Sequence, residues 1–345
     1  MKTLVIGGTH YAGLHLVREL VKQGHDVTIF NRGQTPAVLP KGVKRLYGDR
    51  KDHDAVRAAL SGKKFDLACD VAAYTPEDSA IMVEVLEGNI GHFIFISTAG
   101  VYERRWTAPV LEDFPYNSVE IGSYAALKTK CEQLLLKAYK ERGFPVTIIR
   151  PWLIFGPDNP LLERETLFFL RLERHRKILL PGNGFVHIQY GHVDDLARAF
   201  ILIAENKQRT IGEAYNITGP DAITMNAYVA TMARIIGVDT DIVYLNPEEV
   251  FPLPRSINPF HTNWAYSKIT SIQKAKEHFG YSPQYNSEAC TRHSYQWYKE
   301  KGLDKMEWDF SQEDELIKKL GNDPKRVFHL PLGGPLPVST TPPPY

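Results

Sequence analysis

The sequence predicts an α/β protein built on a doubly wound parallel sheet, with a smaller, discontinuous C-terminal substrate domain. Three observations predict this class. A glycine-rich turn links the first apolar strand to a helix, strands alternate with helices through the first half, and the strand at residues 92–96 is almost continuously apolar. Such alternation is typical of parallel sheets, and continuous apolar strands suit a sheet that helices cover on both faces.

The chain opens with an apolar strand that ends at Ile6, a glycine-rich turn from Gly7 to Gly13, and an amphipathic helix that ends at Gly24. Gly7 permits a tight turn, and Gly13 allows the helix to pack closely on the strand. Bare amides and the positive end of the helix dipole can hold a pyrophosphate there. A second strand, at residues 27–30, follows at the distance that a nucleotide-binding βαβ unit requires.

Further strands are predicted where apolar runs end at turn signals, at residues 43–47, 65–71, 92–96 and 146–150. In a doubly wound sheet, ligands bind at the carboxyl ends of the strands. The residues that follow the strands are therefore the candidates for a ligand site, namely Gly7 to Gly13, Asn31, Arg32, Asp49, Ala72, Ala73, Ser97 and Thr98.

The second half is less regular. Its predicted elements are helices at residues 167–176, 194–204, 225–236, 268–279 and 291–301, with a strand at 214–217. We expect a dinucleotide-binding domain of residues 1–151 plus about 186–217, and a substrate domain of residues 152–185 and 218–320. The proline-rich stretch 321–345 is expected to be an ordered tail, docked on its own subunit or on a neighbour.

The chain has 345 residues, a formal net charge of +1 and no block of like charge. This balance gives no electrostatic reason to expect a nucleic-acid or membrane partner. The first apolar run is too short for a secretory signal, and no stretch reaches the length of a membrane-spanning helix. Cys69, Cys131 and Cys290 are odd in number and far apart, which predicts reduced thiols in a cytoplasmic protein and no metal site.

A second signal is the run from Tyr124 to Lys128, which is rich in helix formers and follows Ser123, a residue type favoured as an N-cap. A tyrosine and a lysine four residues apart share one face of a helix. An ammonium close to a phenol favours the phenolate, so the pair can act as a general base near neutral pH. The alternative is a surface pair without a role. Thr98, after the fifth strand, would point its hydroxyl into the same cleft, or would only satisfy a turn.

The order of these landmarks resembles the extended short-chain dehydrogenase/reductase superfamily, in particular its NAD-dependent epimerase/dehydratase group. The matching features are the glycine turn, Asp49, Thr98, the Tyr124 and Lys128 pair, Arg150-Pro151, Ile154-Phe155-Gly156-Pro157, His192-Val193-Asp194-Asp195-Leu196-Ala197 and Tyr215-Asn216-Ile217. The resemblance implies a Rossmann fold, a dinucleotide along the sheet edge, and a homodimer built from the helices around residues 81–86 and 124–139.

The resemblance also implies roles for single residues. Tyr124 would exchange a proton with a substrate hydroxyl, Thr98 would hydrogen-bond the same oxygen, and Lys128 would hold the nicotinamide ribose. The hydride chemistry belongs to the cofactor. The implied cofactor contacts, with Asp49 at the adenine, are Gly7, Thr9, His10, Tyr11, Ala12, Asn31, Arg32, Asp49, Arg50, Ala72, Ala73, Tyr124, Lys128, Pro151 and Ile154.

The end of the second strand departs from the pattern of NAD-preferring relatives, which place an acidic residue there to bind the ribose hydroxyls. Here Asn31 and Arg32 occupy this place. A guanidinium without a neighbouring acid favours NADP, because arginine can clamp a 2′-phosphate. Stacking of Arg32 on the adenine is the alternative, and a true epimerase would use NAD.

Other departures affect the substrate. His10 stands where many members carry a glycine, a form that is similar to a branch including the chloroplast stem-loop RNA-binding proteins. Ile188 and Asn258 replace arginines that are usual in members acting on nucleotide diphosphate sugars. Because a diphosphate needs cationic partners, we expect a sugar-like, nucleoside-like or other hydroxylated small molecule. Residues that could line its pocket, or could instead be core or interface residues, are Tyr74, His187, Gln189, His261, Asn263 and Trp264.

Three functions remain open at this point. The first is an NAD(P)-dependent epimerase that oxidises a carbinol and returns the hydride to the other face. The second is an NADPH-dependent ketone reductase. The third is a non-catalytic RNA-binding relative, which the near-neutral charge disfavours. A dehydratase is disfavoured because Ala99 and Gly100 supply neither the acid nor the base that dehydration needs.

Overall fold

The computed structural model describes residues 1–103, 108–117, 123–250, 252–257, 267 and 269–336. Two compact units divide the chain. The first comprises Met1–Ile154, Gly191–Pro220 and Thr270–Gln284, and the second comprises Phe155–Tyr190, Asp221–Ile269 and Tyr285–Tyr345. The predictions made for Asn258, His261, Asn263 and Trp264 fall outside the described residues.

Strands and helices alternate along the chain. The strands are β1 (Lys2–Ile6), β2 (Asp26–Asn31), β3 (Lys44–Tyr47), β4 (Leu67–Asp70), β5 (Phe93–Ile96), β6 (Val146–Pro151), β7 (Ile154–Phe155), β8 (Ile178–Pro181), β9 (His187–Gln189), β10 (Gly191–His192), β11 (Ala214–Ile217), β12 (Ala222–Thr224), β13 (Thr240–Leu245) and β14 (Val327–Leu330). The helices are α1 (Tyr11–Lys22), α2 (His53–Leu60), α3 (Pro76–Leu86), α4 (Tyr124–Arg142), α5 (Thr166–Glu173), α6 (Val193–Glu205), α7 (Lys207–Thr210), α8 (Met225–Ile236), α9 (Pro247–Val250), α10 (Gln273–Phe279), α11 (Ser287–Glu300) and α12 (Ser311–Leu320).

The first unit is organised around a seven-stranded sheet with the order β3-β2-β1-β4-β5-β6-β11. Every neighbouring pair in this sheet is parallel. The strand order reverses between β1 and β4, which is the place where doubly wound sheets bind ligands. The register brings the strand ends together, because Ile6 lies opposite both Phe30 and Asp70. The predicted fold class is therefore confirmed.

Helices cover both faces of the central sheet. Alternate strand residues point to opposite faces, so Val5 packs in a cluster with Phe200 of α6, and Leu4 packs in another with Met82 of α3. Full burial of each such side chain stabilises the fold by about 1.5–3 kcal/mol. This two-sided burial explains the apolar runs in the sequence, such as Leu4 to Ile6 and Phe93 to Ile96.

The second unit contains two small sheets. In the larger, β13 pairs with β8 in parallel and with β14 antiparallel, and in the smaller, β9 and β12 are antiparallel. Strand β14 comes from the proline-rich stretch 321–345, of which residues 337–345 fall outside the described part. The tail thus supplies a strand to its own chain.

One segment differs from the division expected from the sequence. Residues 270–284 pack with the first unit, although the pattern assigned them to the substrate domain. The reason is aromatic packing: Phe279 meets Tyr215 of β11 edge to face at a centroid distance of 4.9 Å, and Tyr281 is buried in the same cluster. Helix α10 therefore covers the edge of the central sheet at β11.

Candidate cofactor and catalytic site

A cavity of about 650 Å³ lies at the carboxyl edge of the central sheet. Its walls are the turn after β1 and the ends of β2, β3 and β4. The residues of the expected cofactor set that line it are Gly7, Thr9, His10, Asn31, Arg32, Asp49, Arg50 and Ala72. Tyr74, expected as a substrate residue, also lines it. A cavity of this size lies within the range of small-molecule sites.

The floor of the cavity is a glycine turn with no room for side chains. Gly7 has a φ of +108°, and a Cβ atom there would lie 2.9 Å from Cγ2 of Val71. A Cβ atom on Gly13 would lie 2.8 Å from the backbone nitrogen of Gly8. The start of α1 therefore packs directly on the strand turn, as in sites where a helix N-terminus binds a pyrophosphate.

The end of the cavity at β2 is polar and cationic. The Oδ1 atom of Asn31 accepts the Gly33 amide hydrogen at 3.1 Å, whereas its Nδ2 atom is buried and makes no hydrogen bond within the described residues. Arg32 and Lys51 also line this end. A buried amide donor without a partner is costly, so an oxygen acceptor from a ligand fits here.

Arg50 lies in the cavity wall, but its guanidinium is bound to protein carboxylates. Nη1 and Nη2 donate to the two carboxylate oxygens of Asp70 at 2.9 and 3.0 Å, and Nε lies 3.2 Å from Oδ1 of Asp78. Burial opposes the charge of Arg50, yet the two carboxylates outweigh it and raise its pKa. The expected cofactor contact Arg50 is therefore also a structural residue.

The two carboxylates organise the turn after β4. Asp70 accepts the amide hydrogens of Ala72 and Ala73 at 3.0 and 3.1 Å. Asp78 accepts those of Tyr74 and Thr75 at 2.8 and 3.0 Å. Four successive backbone amides thus donate to two carboxylates, and both carboxylates contact the guanidinium of Arg50. We call the group formed by Arg50, Asp70 and Asp78 the carboxylate brace.

Lys128 is buried at the start of α4. Its ammonium donates to the backbone oxygens of Ala73 at 2.6 Å and Ile96 at 2.7 Å. Burial lowers the pKa of Lys128 to about 8, while the charge of Asp70 opposes this shift. The ammonium lies 5.8 Å from the centroid of the Tyr124 ring, within the range of a cation–π contact.

Tyr124 and Thr98 stand near the same helix start. The predicted N-cap is confirmed, because the Ser123 hydroxyl accepts the Ala126 amide hydrogen at 3.2 Å. This cap begins the helix at Tyr124, whose side chain is 51% exposed. The Oγ1 atom of Thr98 accepts the Gly100 amide hydrogen at 3.0 Å, which satisfies the turn and leaves the hydroxyl hydrogen available for donation.

The remaining expected residues lie elsewhere. Tyr11 directs its hydroxyl to the backbone oxygen of Ile154 at 2.8 Å. Pro151 ends β6 and pairs with Ile217 in the sheet. The catalytic candidates Thr98, Tyr124 and Lys128 are not among the residues that line the cavity. The other expected cofactor contacts outside its lining are Tyr11, Ala12, Ala73, Pro151 and Ile154. In the second unit, His187 and Gln189 lie on β9, the first exposed and the second buried.

The sequence patterns did not single out Asp70 or Asp78. Asp70 is fully buried at the end of an apolar strand. A carboxylate in a buried strand needs a charged or hydrogen-bonding partner. The presence of an aspartate at the end of an apolar strand could therefore have indicated a buried ion pair. Its partner, however, is twenty residues away in the sequence and could not be chosen from spacing alone.

The parallel sheet, its switch point and the glycine turn together define a Rossmann-type protein. A family model of the NAD dependent epimerase/dehydratase family matches residues 3–218. The chain belongs to this family. It is therefore an oxidoreductase or isomerase of the epimerase/dehydratase type, with NAD or NADP as cofactor.

Individual relatives are similar to this chain over most of its length. It is 32% identical to the chloroplast stem-loop binding protein of 41 kDa b from Arabidopsis thaliana, over 92% of this chain and 84% of that protein. It is 29% identical to 2-alkyl-3-oxoalkanoate reductase from Stenotrophomonas maltophilia, over 85% of this chain and 98% of that protein. The fold is similar to that of dTDP-glucose 4,6-dehydratase from Bacillus anthracis in complex with NAD, with a TM-score of 0.73, 19% identity, and coverage of 88% and 99%.

Within the part of the chain that the structure describes, no helix combines the length and apolar character that a membrane crossing demands.

Proposed function

We propose that the protein transfers a hydride between a nicotinamide cofactor and a sugar-like or nucleoside-like carbinol, with Thr98, Tyr124 and Lys128 as its catalytic residues. One observation carries the proposal. The Lys128 ammonium is held by two backbone oxygens beneath the exposed ring of Tyr124, next to the cavity at the sheet edge. A fixed cation under a phenol is the arrangement that makes tyrosine a general base.

Each residue has a distinct task in this proposal. Tyr124 exchanges a proton with the substrate oxygen, and the nearby ammonium stabilises its phenolate. Thr98 donates its remaining hydroxyl hydrogen to the same substrate oxygen. A bound nicotinamide supplies the hydride acceptor or donor. Because the pKa of Lys128 is about 8, the ammonium is largely retained at pH 7 and is lost in more alkaline solution.

The cofactor assignment within the proposal is NADP. In support, Asn31 offers a buried N–H donor, and Arg32 and Lys51 bring two cations to the same end of the cavity. These groups suit the 2′-phosphate of NADP, because arginine binds phosphate through paired N–H donors. The glycine turn at Gly7 and Gly13 would hold the pyrophosphate, and Asp49 the adenine.

Deuterium transfer tests the reaction. The purified protein is incubated with nicotinamide-deuterated NADPH or NADH and simple ketones or ketoses, and in parallel with NADP+ or NAD+ and nucleosides or ketoses that carry deuterium on a carbinol carbon. Products and cofactor are analysed by mass spectrometry. We expect deuterium to move from the nicotinamide to a carbonyl carbon, or from a carbinol carbon to the nicotinamide or to the corresponding carbon of an epimerised product. Net oxidation of NADPH with an exchangeable cofactor would identify a ketone reductase, whereas a retained cofactor and an epimerised product would identify an epimerase. Absence of transfer with all three classes would refute the proposal.

RNA binding is the second candidate, and the relative named as a chloroplast stem-loop binding protein favours it. The net charge of +1 opposes it, since phosphate contacts need a basic surface. Fluorescence anisotropy with a labelled stem-loop RNA at 50 and 200 mM salt decides between them. Micromolar or tighter, salt-sensitive binding that survives Tyr124→Phe would support this function, and absence of binding would exclude it.

The proposal includes a homodimer formed through α3 and α4, and a reducing cytoplasmic environment. The cysteines support the second part, because Cys69, Cys131 and Cys290 are all buried thiols. Light scattering at several protein concentrations tests the first part. A monomer at all concentrations would contradict it.

A further inference from the structure

Tyr74 stands out as a large exposed aromatic residue on a rigid turn. Its side chain is 58% exposed and lines the cavity at the sheet edge. Its own amide donates to Asp78 at 2.8 Å, and the preceding amides of Ala72 and Ala73 donate to Asp70. The carboxylate brace therefore fixes the backbone that carries this ring. The fixed backbone places this ring in the cavity wall, where a bound ligand would contact it.

Tyr74 also shares the surroundings of Tyr124. The two ring centroids are 6.0 Å apart, and the rings are inclined by 52°. The Lys128 ammonium lies 5.5 Å from the centroid of Tyr74 and 5.8 Å from that of Tyr124. One buried cation therefore lies close to two neighbouring exposed phenol rings, and the ring of Tyr74 lines the cavity.

The hydroxyl group of Tyr74 is available to a ligand. It makes no hydrogen bond to any of the described residues. A phenol can both donate and accept a hydrogen bond, while its ring offers a flat apolar surface. A ligand that satisfies both properties has an apolar face and hydroxyl groups around its rim, as a pyranose or ribose ring has.

We propose that Tyr74 is a substrate-binding residue that stacks on the apolar face of a hydroxylated ring and hydrogen-bonds one of its hydroxyl groups, beside Tyr124. This inference rests on the proposed function and assigns its substrate class. Tyr74 orients the ring, and Tyr124 meets the oxygen that exchanges its proton. Tyr74 would therefore affect substrate affinity more than the binding of the cofactor.

Saturation-transfer NMR on the NADP-loaded protein tests this assignment with three probes: methyl glucoside, uridine and UDP-glucose. We expect transfer to ring C–H protons of at least one probe. Tyr74→Ala should weaken the binding of that probe at least tenfold. Tyr74→Phe keeps the ring and should weaken it about threefold to tenfold, through loss of one hydrogen bond. Tyr139→Phe, which removes a partly exposed phenol at the other end of α4, is the matched control and should bind like the wild type.

The outcomes separate this inference from the proposed function. Wild-type affinity in both Tyr74 variants would refute the role of Tyr74, even if deuterium transfer is observed. Binding of none of the probes by the wild type would refute the substrate class. Probe binding that depends on Tyr74 in a protein that transfers no deuterium would refute the hydride chemistry alone. Tyr74→Phe keeps the test valid if the alanine variant does not fold.

Discussion

Arg50 and Asp70 form a buried, bidentate ion pair at the candidate cofactor cavity, with guanidinium to carboxylate distances of 2.9 and 3.0 Å. The Asp70 side chain is fully buried, and that of Arg50 is 12% exposed. Through the amides of Ala72 and Ala73, this pair sets the position of the Ala73 backbone oxygen, which binds the Lys128 ammonium. The pair thus connects the cavity wall to the proposed catalytic lysine.

Loss of one partner of this ion pair should destabilise the folded protein. Asp70→Ala leaves Arg50 buried with a single carboxylate and releases two amides, so we expect a loss of about 3–5 kcal/mol in the free energy of unfolding. Asp26→Ala is the control, because its pair with Lys44 is exposed to solvent and should contribute little to stability. Urea unfolding of both variants checks this, and equal small effects would contradict it.

A methyl group on Gly13 should damage both the fold and the cofactor site. The added Cβ atom of Gly13→Ala would lie 2.8 Å from the Gly8 nitrogen and 3.0 Å from Cγ2 of Val71. Because neither backbone nor packed side chain can move freely, we expect a destabilisation of about 1–3 kcal/mol. NADPH binding should weaken at least tenfold in the same variant. Gly24→Ala is unsuitable as a control because its φ is +78°.

A control for the cofactor site is Ala80→Gly, which lies on the exposed side of α3. It should reduce stability by about 1 kcal/mol through helix propensity alone and leave NADPH affinity within twofold of the wild type. Wild-type cofactor affinity in Gly13→Ala would show that the glycine turn does not hold the pyrophosphate.

Arg32 should determine the choice between the two nicotinamide cofactors. We expect the wild type to bind NADPH at least tenfold more tightly than NADH, because the 2′-phosphate pairs with the guanidinium. Arg32→Ala should remove most of this preference and leave NADH affinity within about twofold. Arg45→Ala, which removes a cation of β3 outside the cavity lining, serves as control. Quenching of protein fluorescence measures all six dissociation constants, and tighter binding of NADH by the wild type would contradict the assignment.

Glu165 should make stability depend on pH. This carboxyl is buried among Asn159, Ser294 and the Gly156 amide, and burial raises its pKa from 4.5 to about 7. Because the folded state holds the proton more tightly than the unfolded state, the stabilisation is complete below pH 4.5 and is lost as the pH rises through 7. Between pH 5 and pH 8 the loss is on the order of 2–3 kcal/mol.

Glu165→Gln keeps the shape of this side chain and removes its titration. The variant should lack the part of the pH dependence that Glu165 contributes, so its Tm relative to the wild type should be higher at pH 8 than at pH 5. Thermal unfolding monitored by circular dichroism gives both values. A difference in Tm that is constant from pH 5 to pH 8 would show that Glu165 does not titrate in this range.

The fold could be predicted from the sequence because its signals are local. Runs of apolar residues mark the strands that are buried on two faces, such as Leu4 to Ile6 and Phe93 to Ile96, and the turn from Gly7 to Gly13 marks the first strand end. The cap at Ser123 is local as well, since its bond reaches only three residues along the chain. Because these features depend on residues that are close in the sequence, they can be recognised without knowledge of the tertiary structure.

The remaining features depend on partners far apart in the sequence. The carboxylate brace joins Arg50 to Asp70 and Asp78, and the turn it holds brings Tyr74 next to Tyr124. Strand β14 is four residues long and lies in a proline-rich stretch. It forms a strand because it pairs antiparallel with β13. Sequence spacing contains no information on such pairings, which explains why the second unit was predicted less completely.

The measurement that tests the central claim most directly compares deuterium transfer in the wild type, Tyr124→Phe and Tyr139→Phe, in a single turnover with the best substrate found. We predict that Tyr124→Phe reduces the rate by about 10²–10⁴-fold while NADPH affinity stays within threefold, and that Tyr139→Phe matches the wild type. A wild-type rate of transfer in Tyr124→Phe would contradict the assignment of this phenol as the proton-exchanging group.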